Sequence, residues 1–216
     1  MRTKFLTLTA ILISASIWAQ DPLRFEKEIN AMIAGDDAIN KKDVILFTGS
    51  SSIKFWKSLQ QDFPNYNVLN RGFGGSEMGD LVYYVDKLIV PYKPKKVFIY
   101  EGDNDINNGK TEDEILKNSE RILSRIREKL GKKTEVIFIS PKPSLSRWQL
   151  KGKYESYNKK LKTWTSQNKN VTFIDVWTPM LAPDGTVMND LFVEDGLHMN
   201  AKGYAIWARV VAPYLK

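Results

Sequence analysis

The stretch "DVILFTGSSS", residues 43–52, joins two unlike pieces of chain. Asp43 to Thr48 is a short, apolar, partly β-branched run of strand character, and it stops at one glycine followed by three consecutive serines. Serine clusters commonly make turns. This one closes a strand, and strands followed by polar or glycine-rich segments recur along the rest of the chain.

Val44–Thr48, Tyr66–Asn70, Lys96–Tyr100, Glu135–Ser140 and Val171–Val176 read as strands. Between them Met78–Val90, Thr111–Leu130 and Leu150–Asn168 carry apolar residues three or four apart, the helical period. Asp21–Asn40 precedes them and Ala201–Leu215 follows, both in the same amphipathic style. Thr111 with Glu114 forms a capping-box pattern, and Gly131 stands just past the end of that helix. Alternation of this kind argues for an α/β domain, a parallel sheet with helices on both faces. Ligands of open α/β sheets bind at the carboxyl ends of the strands.

Composition narrows the functional classes. The chain has 216 residues, 43% hydrophobic and 26% charged, which fits one domain with a sizeable core. Residues 1–20, "MRTKFLTLTAILISASIWAQ", place Arg2 and Lys4 before an apolar run from Phe5 to Trp18 and then Ala19-Gln20, the layout of a secretory signal peptide. The run is shorter than the ~20 apolar residues that a spanning helix needs. Cleavage near Ala19 or Gln20 would leave residues 21–216 as a single domain with no stable membrane anchor, in the periplasm or outside the cell. The absence of cysteine excludes disulfides, thiolate metal sites and a cysteine nucleophile. The net charge of +7 falls by two when Arg2 and Lys4 leave with the leader. Lys93, Lys95, Lys96, Lys151, Lys153, Lys159, Lys160 and Lys162 are scattered without interleaved aromatic residues. That reads as a solvated face and argues against a nucleic-acid partner.

The segments that follow the strands hold the chemistry. They are Gly49 to Ser52, "NRGFGGS" (70–76), "EGDNDINNG" (101–109) and, before the last helix, "EDGLHMNAKGY" (194–204). His198 is the only histidine, and Asp195 lies three residues before it. A turn there lets the carboxylate hold Nδ1–H and leaves Nε2 free as a base. A serine hydroxyl needs such a base to become a nucleophile. Glycine N–H groups in "GFGGS" and the Asn104 amide are suitable donors to a developing oxyanion.

Other readings compete. Gly49–Ser52 could cradle a phosphate, as in flavodoxin-like nucleotide binders, but that leaves Asn104, Asp195 and His198 without a task. Asp103, Asp105, Asn107 and Glu114 match part of a calcium-loop spacing, yet Asn108 stands where that loop requires glycine. An inactive glycan-binding module is a third class, and it has no need of Ser51, Asp195 and His198 together. Asp105 could be a structural residue holding the Asn104 loop. Arg147 and Trp148 could line the pocket or pack its wall, and Trp56 reads as core.

Gly49-Ser50-Ser51, Gly75, Gly102-Asp103-Asn104-Asp105 and Asp195-Gly196-Leu197-His198 resemble the four blocks of the SGNH (GDSL-type) hydrolases, in the family's order. The resemblance implies a flavodoxin-like three-layer α/β/α sandwich with about five parallel strands. It also implies that Ser51 is the nucleophile, with Asp195 and His198 as acid and base. Ser51, Gly75 and Asn104 would form the oxyanion hole, while Gly72 and Gly74 would serve turn geometry. Ser50 stands where the family name has aspartate, a departure that resembles a "GSS" variant of the first block. The expected activity is an exported serine esterase for short-acyl, above all acetyl, esters of small molecules or carbohydrates, working without metal or organic cofactor. A lysophospholipase or general short-chain lipolytic esterase is the alternative within the family.

Overall fold

The computed structural model describes residues 21–216, so the leader reading of residues 1–20 lies outside the described residues. Five strands, β1 (Ile45–Gly49), β2 (Val68–Gly72), β3 (Lys96–Tyr100), β4 (Glu135–Ile139) and β5 (Val171–Ile174), form one sheet in the order β2-β1-β3-β4-β5. Every pairing is parallel. The helices are α1 (Glu26–Ile33), α2 (Ser51–Lys54), α3 (Leu59–Asp62), α4 (Met78–Leu88), α5 (Asp103–Asn107), α6 (Glu112–Leu130), α7 (Lys151–Ser166) and α8 (Ala201–Val211).

Strand residues alternate between two apolar layers because successive side chains point to opposite faces. Leu46, Val97, Ile99, Val136 and Phe138 pack with residues of α1, α4, α6 and α7. Ile45, Phe47, Phe98, Tyr100, Ile137 and Ile139 pack with Ile53, Trp56, Leu59 and the α8 residues Tyr204, Ile206 and Trp207. This is the expected three-layer α/β/α sandwich in flavodoxin-like order. The chain leaves β1 toward β2 on one side and later returns to lay β3 on the other, so the topological switch falls between β1 and β3.

Several boundaries differ from the sequence expectation. β1 starts at Ile45, because Asp43 adopts a left-handed φ of 52° that no strand accommodates. The helix expected over Asp21–Asn40 is broken. Pro22 opens a 3-10 turn, α1 ends at Ile33, and a second 3-10 turn at Asp36–Ala38 brings Asp36 to Arg71 and Tyr92. β5 ends at Ile174, where the Asp175 carboxylate accepts the N–H groups of Trp177 and Thr178 and turns the chain. Lys96 does not belong to a solvated face: it is 7% exposed and its ammonium donates to the carbonyls of Tyr214 and Lys216 near the carboxyl end of the chain. Gly72 serves close approach and not a turn, since a Cβ there would lie 2.3 Å from the Lys54 nitrogen. Among the described residues no helix is long and apolar enough to cross a membrane.

Candidate active site

The site begins with Gly49. Its φ is 130°, and a Cβ added there would lie 2.0 Å from the Tyr100 carbonyl oxygen. A glycine at this point lets the end of β1 press against β3, and the Ser50 N–H donates to that same carbonyl at 3.0 Å. Ser50 is extended and caps α2, which puts Ser51 at the first helical position, where an N–H has no intrahelical acceptor. Ser51 is half-buried, whereas Ser50 and Ser52 are buried.

His198 comes from 147 positions further along. α8 docks beside α2 through Trp56, which follows that helix and whose ring stacks on Tyr204 at 5.6 Å and meets Trp207 edge-on at 5.8 Å. The Tyr204 hydroxyl donates to the Ser52 carbonyl at 3.0 Å. Asn200 caps α8 through Lys202 and Gly203 N–H groups. The loop before it is a tight turn in which Gly196 has φ 63° and Asp195 Oδ1 accepts the N–H groups of Leu197 and His198, each at 2.8 Å. The other carboxylate oxygen, Oδ2, lies 2.5 Å from His198 Nδ1, and His198 Nε2 lies 2.9 Å from Ser51 Oγ. Burial works to raise the Asp195 pKa, but bonds from the imidazole and the two backbone N–H groups outweigh it and hold the carboxyl at about 2.

The other expected residues stand on the same rim. Gly49, Gly72 and Tyr100 are aligned in register across β1, β2 and β3, so Ser51, Gly75 and Asn104 each follow within four residues of adjacent strand ends. Gly75 has φ 79° and is exposed; a Cβ there would meet nothing within 4 Å. Its requirement is conformational. Asn104 lies on α5, and its Nδ2 donates to the Ser76 carbonyl at 2.8 Å, tying the amide to the Gly75 loop.

Asp103 and Asp105, which the calcium reading joined, face different partners. Asp103 accepts from Tyr154 and Arg147, both at 2.6 Å, and from Tyr100 at 2.9 Å. Burial tends to raise its pKa, but the charges of Lys142 and Arg147 and the Tyr154 hydrogen bond prevail and hold it at about 2. Asp105 accepts the N–H groups of Met78 and Gly102 and so clamps the Asn104 loop to the start of α4; burial pushes its pKa up to about 7. Arg147 reaches the site. Trp148 stacks on Trp177 at 6.0 Å, partly buried against the core.

Some participants escaped the sequence reading. Glu101 is 1% exposed and bonds Ser76 Oγ at 2.6 Å, directly behind the Gly75 loop. Lys142 is 1% exposed, with its ammonium 3.6 Å from Asp103. Both sit where buried strands end, and a charged residue at such a position is the signal that would have found them. Phe55 is exposed, and its ring meets the His198 imidazole edge-on at 5.1 Å.

Comparison with solved structures returns the same architecture. A Streptococcus pneumonia protein provisionally assigned as a platelet activating factor superposes with a TM-score of 0.80 at 22% identity, covering 90% of this chain and 94% of its own. A GDSL-like lipase from Bacteroides thetaiotaomicron gives 0.72 at 21%, with 90% and 97% covered. An acetylxylan esterase from Geobacillus stearothermophilus, solved as a catalytic mutant, gives 0.66 at 17%, with 82% and 95% covered. Comparison with curated proteins finds no matching sequence. The sequence profile of the GDSL-like Lipase/Acylhydrolase family matches residues 43–206, a span that holds every strand together with Ser51, Gly75, Asn104, Asp195 and His198, and the chain belongs to that family of ester-bond hydrolases.

Proposed function

We propose that this hydrolase is an exported serine esterase that removes short acyl groups, acetyl above all, from carbohydrates or other small alcohols. The observation that carries the mechanism is the continuous contact from Asp195 Oδ2 through His198 to Ser51 Oγ, at 2.5 and 2.9 Å. Ser51 Oγ attacks the ester carbonyl while His198 Nε2 takes its proton. The oxyanion is received by the N–H groups of Ser51 and Gly75 and by Asn104 Nδ2. Collapse expels the alcohol, which leaves with the proton held on His198. Water then gives a proton to His198 and attacks the acyl-enzyme, and the carboxylic acid departs as Ser51 regains its hydrogen. No step calls for a metal or organic cofactor.

Two observations support a small, sugar-borne acyl group. The acetylxylan esterase shares the fold, although at 17% identity. Phe55, whose ring meets His198, is exposed, as are Leu145, which packs against Gly196, and Val193, whose N–H donates to the His198 carbonyl. An exposed aromatic face suits the C–H face of a sugar ring. Export rests on the charge and hydropathy pattern of residues 1–20.

The test is a panel of p-nitrophenyl esters from acetyl to octanoyl and of acetylated oligosaccharides, run on wild type and Ser51→Ala. We expect kcat/KM to fall as the acyl chain lengthens, acetate to be released from the sugars, and Ser51→Ala to lose at least ~10^3-fold in kcat. A rise in kcat/KM with chain length would replace the acetyl reading by a lipolytic one. Full turnover in Ser51→Ala would remove the nucleophile.

A further inference from the structure

An oxyanion hole that uses a side-chain amide has a weakness that one using backbone N–H groups lacks. The two ends of an asparagine amide are nearly the same size, and a rotation of half a turn replaces the N–H donors by an acceptor oxygen. A structure that uses Asn104 must therefore decide which end faces the substrate. Ser76 supplies a carbonyl, which can only accept, to Nδ2 at 2.8 Å. Arg147 Nη2, which can only donate, bonds Oδ1 at 3.0 Å. Together they admit one orientation and leave the second Nδ2 hydrogen for the oxyanion.

The guanidinium is itself held. Arg147 Nη1 donates to Asp103 Oδ1 at 2.6 Å, and that oxygen also accepts the Tyr154 hydroxyl at 2.6 Å. The Arg147 side chain is only 12% exposed. Its planar fork spans two consecutive residues of α5, taking the carboxylate of Asp103 with one nitrogen and the amide of Asn104 with the other, a geometry that a lysine's single ammonium does not reproduce. A cation on Oδ1 also draws electron density from the amide and strengthens Nδ2–H as a donor.

We propose that Arg147 is a positioning residue for the oxyanion hole, fixing the orientation of the Asn104 amide and polarising it toward the developing charge. The inference rests on the Ser51–His198–Asp195 reading of the site. It assigns Arg147 an effect on the transition state, and therefore on kcat, with little change in KM.

The test compares Arg147→Lys, Asn104→Ala and the double variant for p-nitrophenyl acetate hydrolysis, with Ser51→Ala alongside. Arg147→Lys keeps a cation beside the buried Asp103, and its thermal midpoint shows that the fold is retained; Arg147→Gln serves if that midpoint collapses. Asn104→Ala should lose ~10^2–10^3-fold in kcat, as removal of one oxyanion donor does. Arg147→Lys should lose about 10–100-fold in kcat with KM changed less than about threefold. Because the two residues act through one amide, the double variant should be no more than about threefold slower than Asn104→Ala. Losses that multiply in the double variant, or an Arg147→Lys effect confined to KM, would overturn the assignment while leaving the site standing. Full activity in Ser51→Ala would instead overturn the site reading, and this inference with it.

Discussion

His198 is held on both ring nitrogens, and the two contacts differ in kind. Asp195 can only accept, so the carboxylate places the imidazole proton on Nδ1 and turns the Nε2 lone pair toward Ser51. Asp195 does this from an exposed position, its side chain 47% accessible, because two backbone N–H groups fix its other oxygen. An asparagine at this position would offer an amide N–H to Nδ1, favour the other tautomer and leave a proton on Nε2, where the proposed mechanism needs a base. Asp195→Asn should therefore lose about 10^4-fold in kcat with little change in thermal midpoint. The Asp195 carboxyl is held at about 2 and takes up its proton only as pH falls through that value. Above pH 4 the Asp195 carboxyl should thus stay ionised, and its 13C chemical shift should be flat from pH 8 down to pH 4. A carboxyl shift that moves between pH 5 and 4 would mean that Asp195 takes up a proton there and is not held as its contacts require.

The elements meet at glycines whose demands differ. At Gly49 a Cβ would enter the Tyr100 carbonyl at 2.0 Å, and the φ of 130° is closed to L-residues. At Gly75 only the φ of 79° matters, since the space is open. Gly75→Ala should cost about 1–2 kcal/mol, the usual left-handed penalty, while Gly49→Ala should exceed about 3 kcal/mol by separating β1 from β3. Thermal midpoints read the difference: at ~2–4 °C per kcal/mol for a chain of this size, Gly49→Ala should fall by roughly 10 °C and Gly75→Ala by only a few. Equal losses would show that the close approach at Gly49 is not what holds the strands. The sheet itself was legible because buried strands are short apolar runs between helical periods; β3 occupies Lys96–Tyr100 as its pattern says. Of the candidate site, Ser51, Gly75, Asn104, Asp195 and His198 could be named from their motifs. Glu101, Lys142 and the contacts of Arg147 were not, because charge inside an apolar layer is settled by partners distant in sequence. Nothing local in "PKPSLSRW" announces that Lys142 meets Asp103 or that Arg147 meets Asn104.

Across the whole molecule, carboxylates buried beneath the carboxyl edge of the sheet set how the fold responds to pH. Glu101 is the clearest case. Ser76 Oγ has a single hydrogen, yet it lies between the Phe73 carbonyl at 3.1 Å and Glu101 Oε1 at 2.6 Å. Both contacts become hydrogen bonds only when Glu101 is protonated, donating to Ser76 while Ser76 donates to Phe73. Burial, followed by the negative charge of Asp105, pushes the Glu101 carboxyl well above its ordinary range in agreement with that count. In the unfolded chain a glutamate titrates near ~4.3. As pH rises from there toward the folded value, the native state keeps a proton that the unfolded state has released, so this group weakens the fold progressively. Asp105, pushed up to about 7, acts with the same sign between about 4 and 7. Asp103, held at about 2, acts oppositely: its contribution is complete above an ordinary aspartate's ~3.9 and is lost as pH falls through about 2. Glu101→Gln keeps the shape of the neutral acid and still donates to Ser76, but it cannot ionise. Its thermal midpoint should match or lie below that of wild type at pH 4 and overtake it by pH 8. A difference that stays constant between those two pH values would show that Glu101 carries no proton linked to folding, and that Ser76 gives its hydrogen to the carboxylate instead.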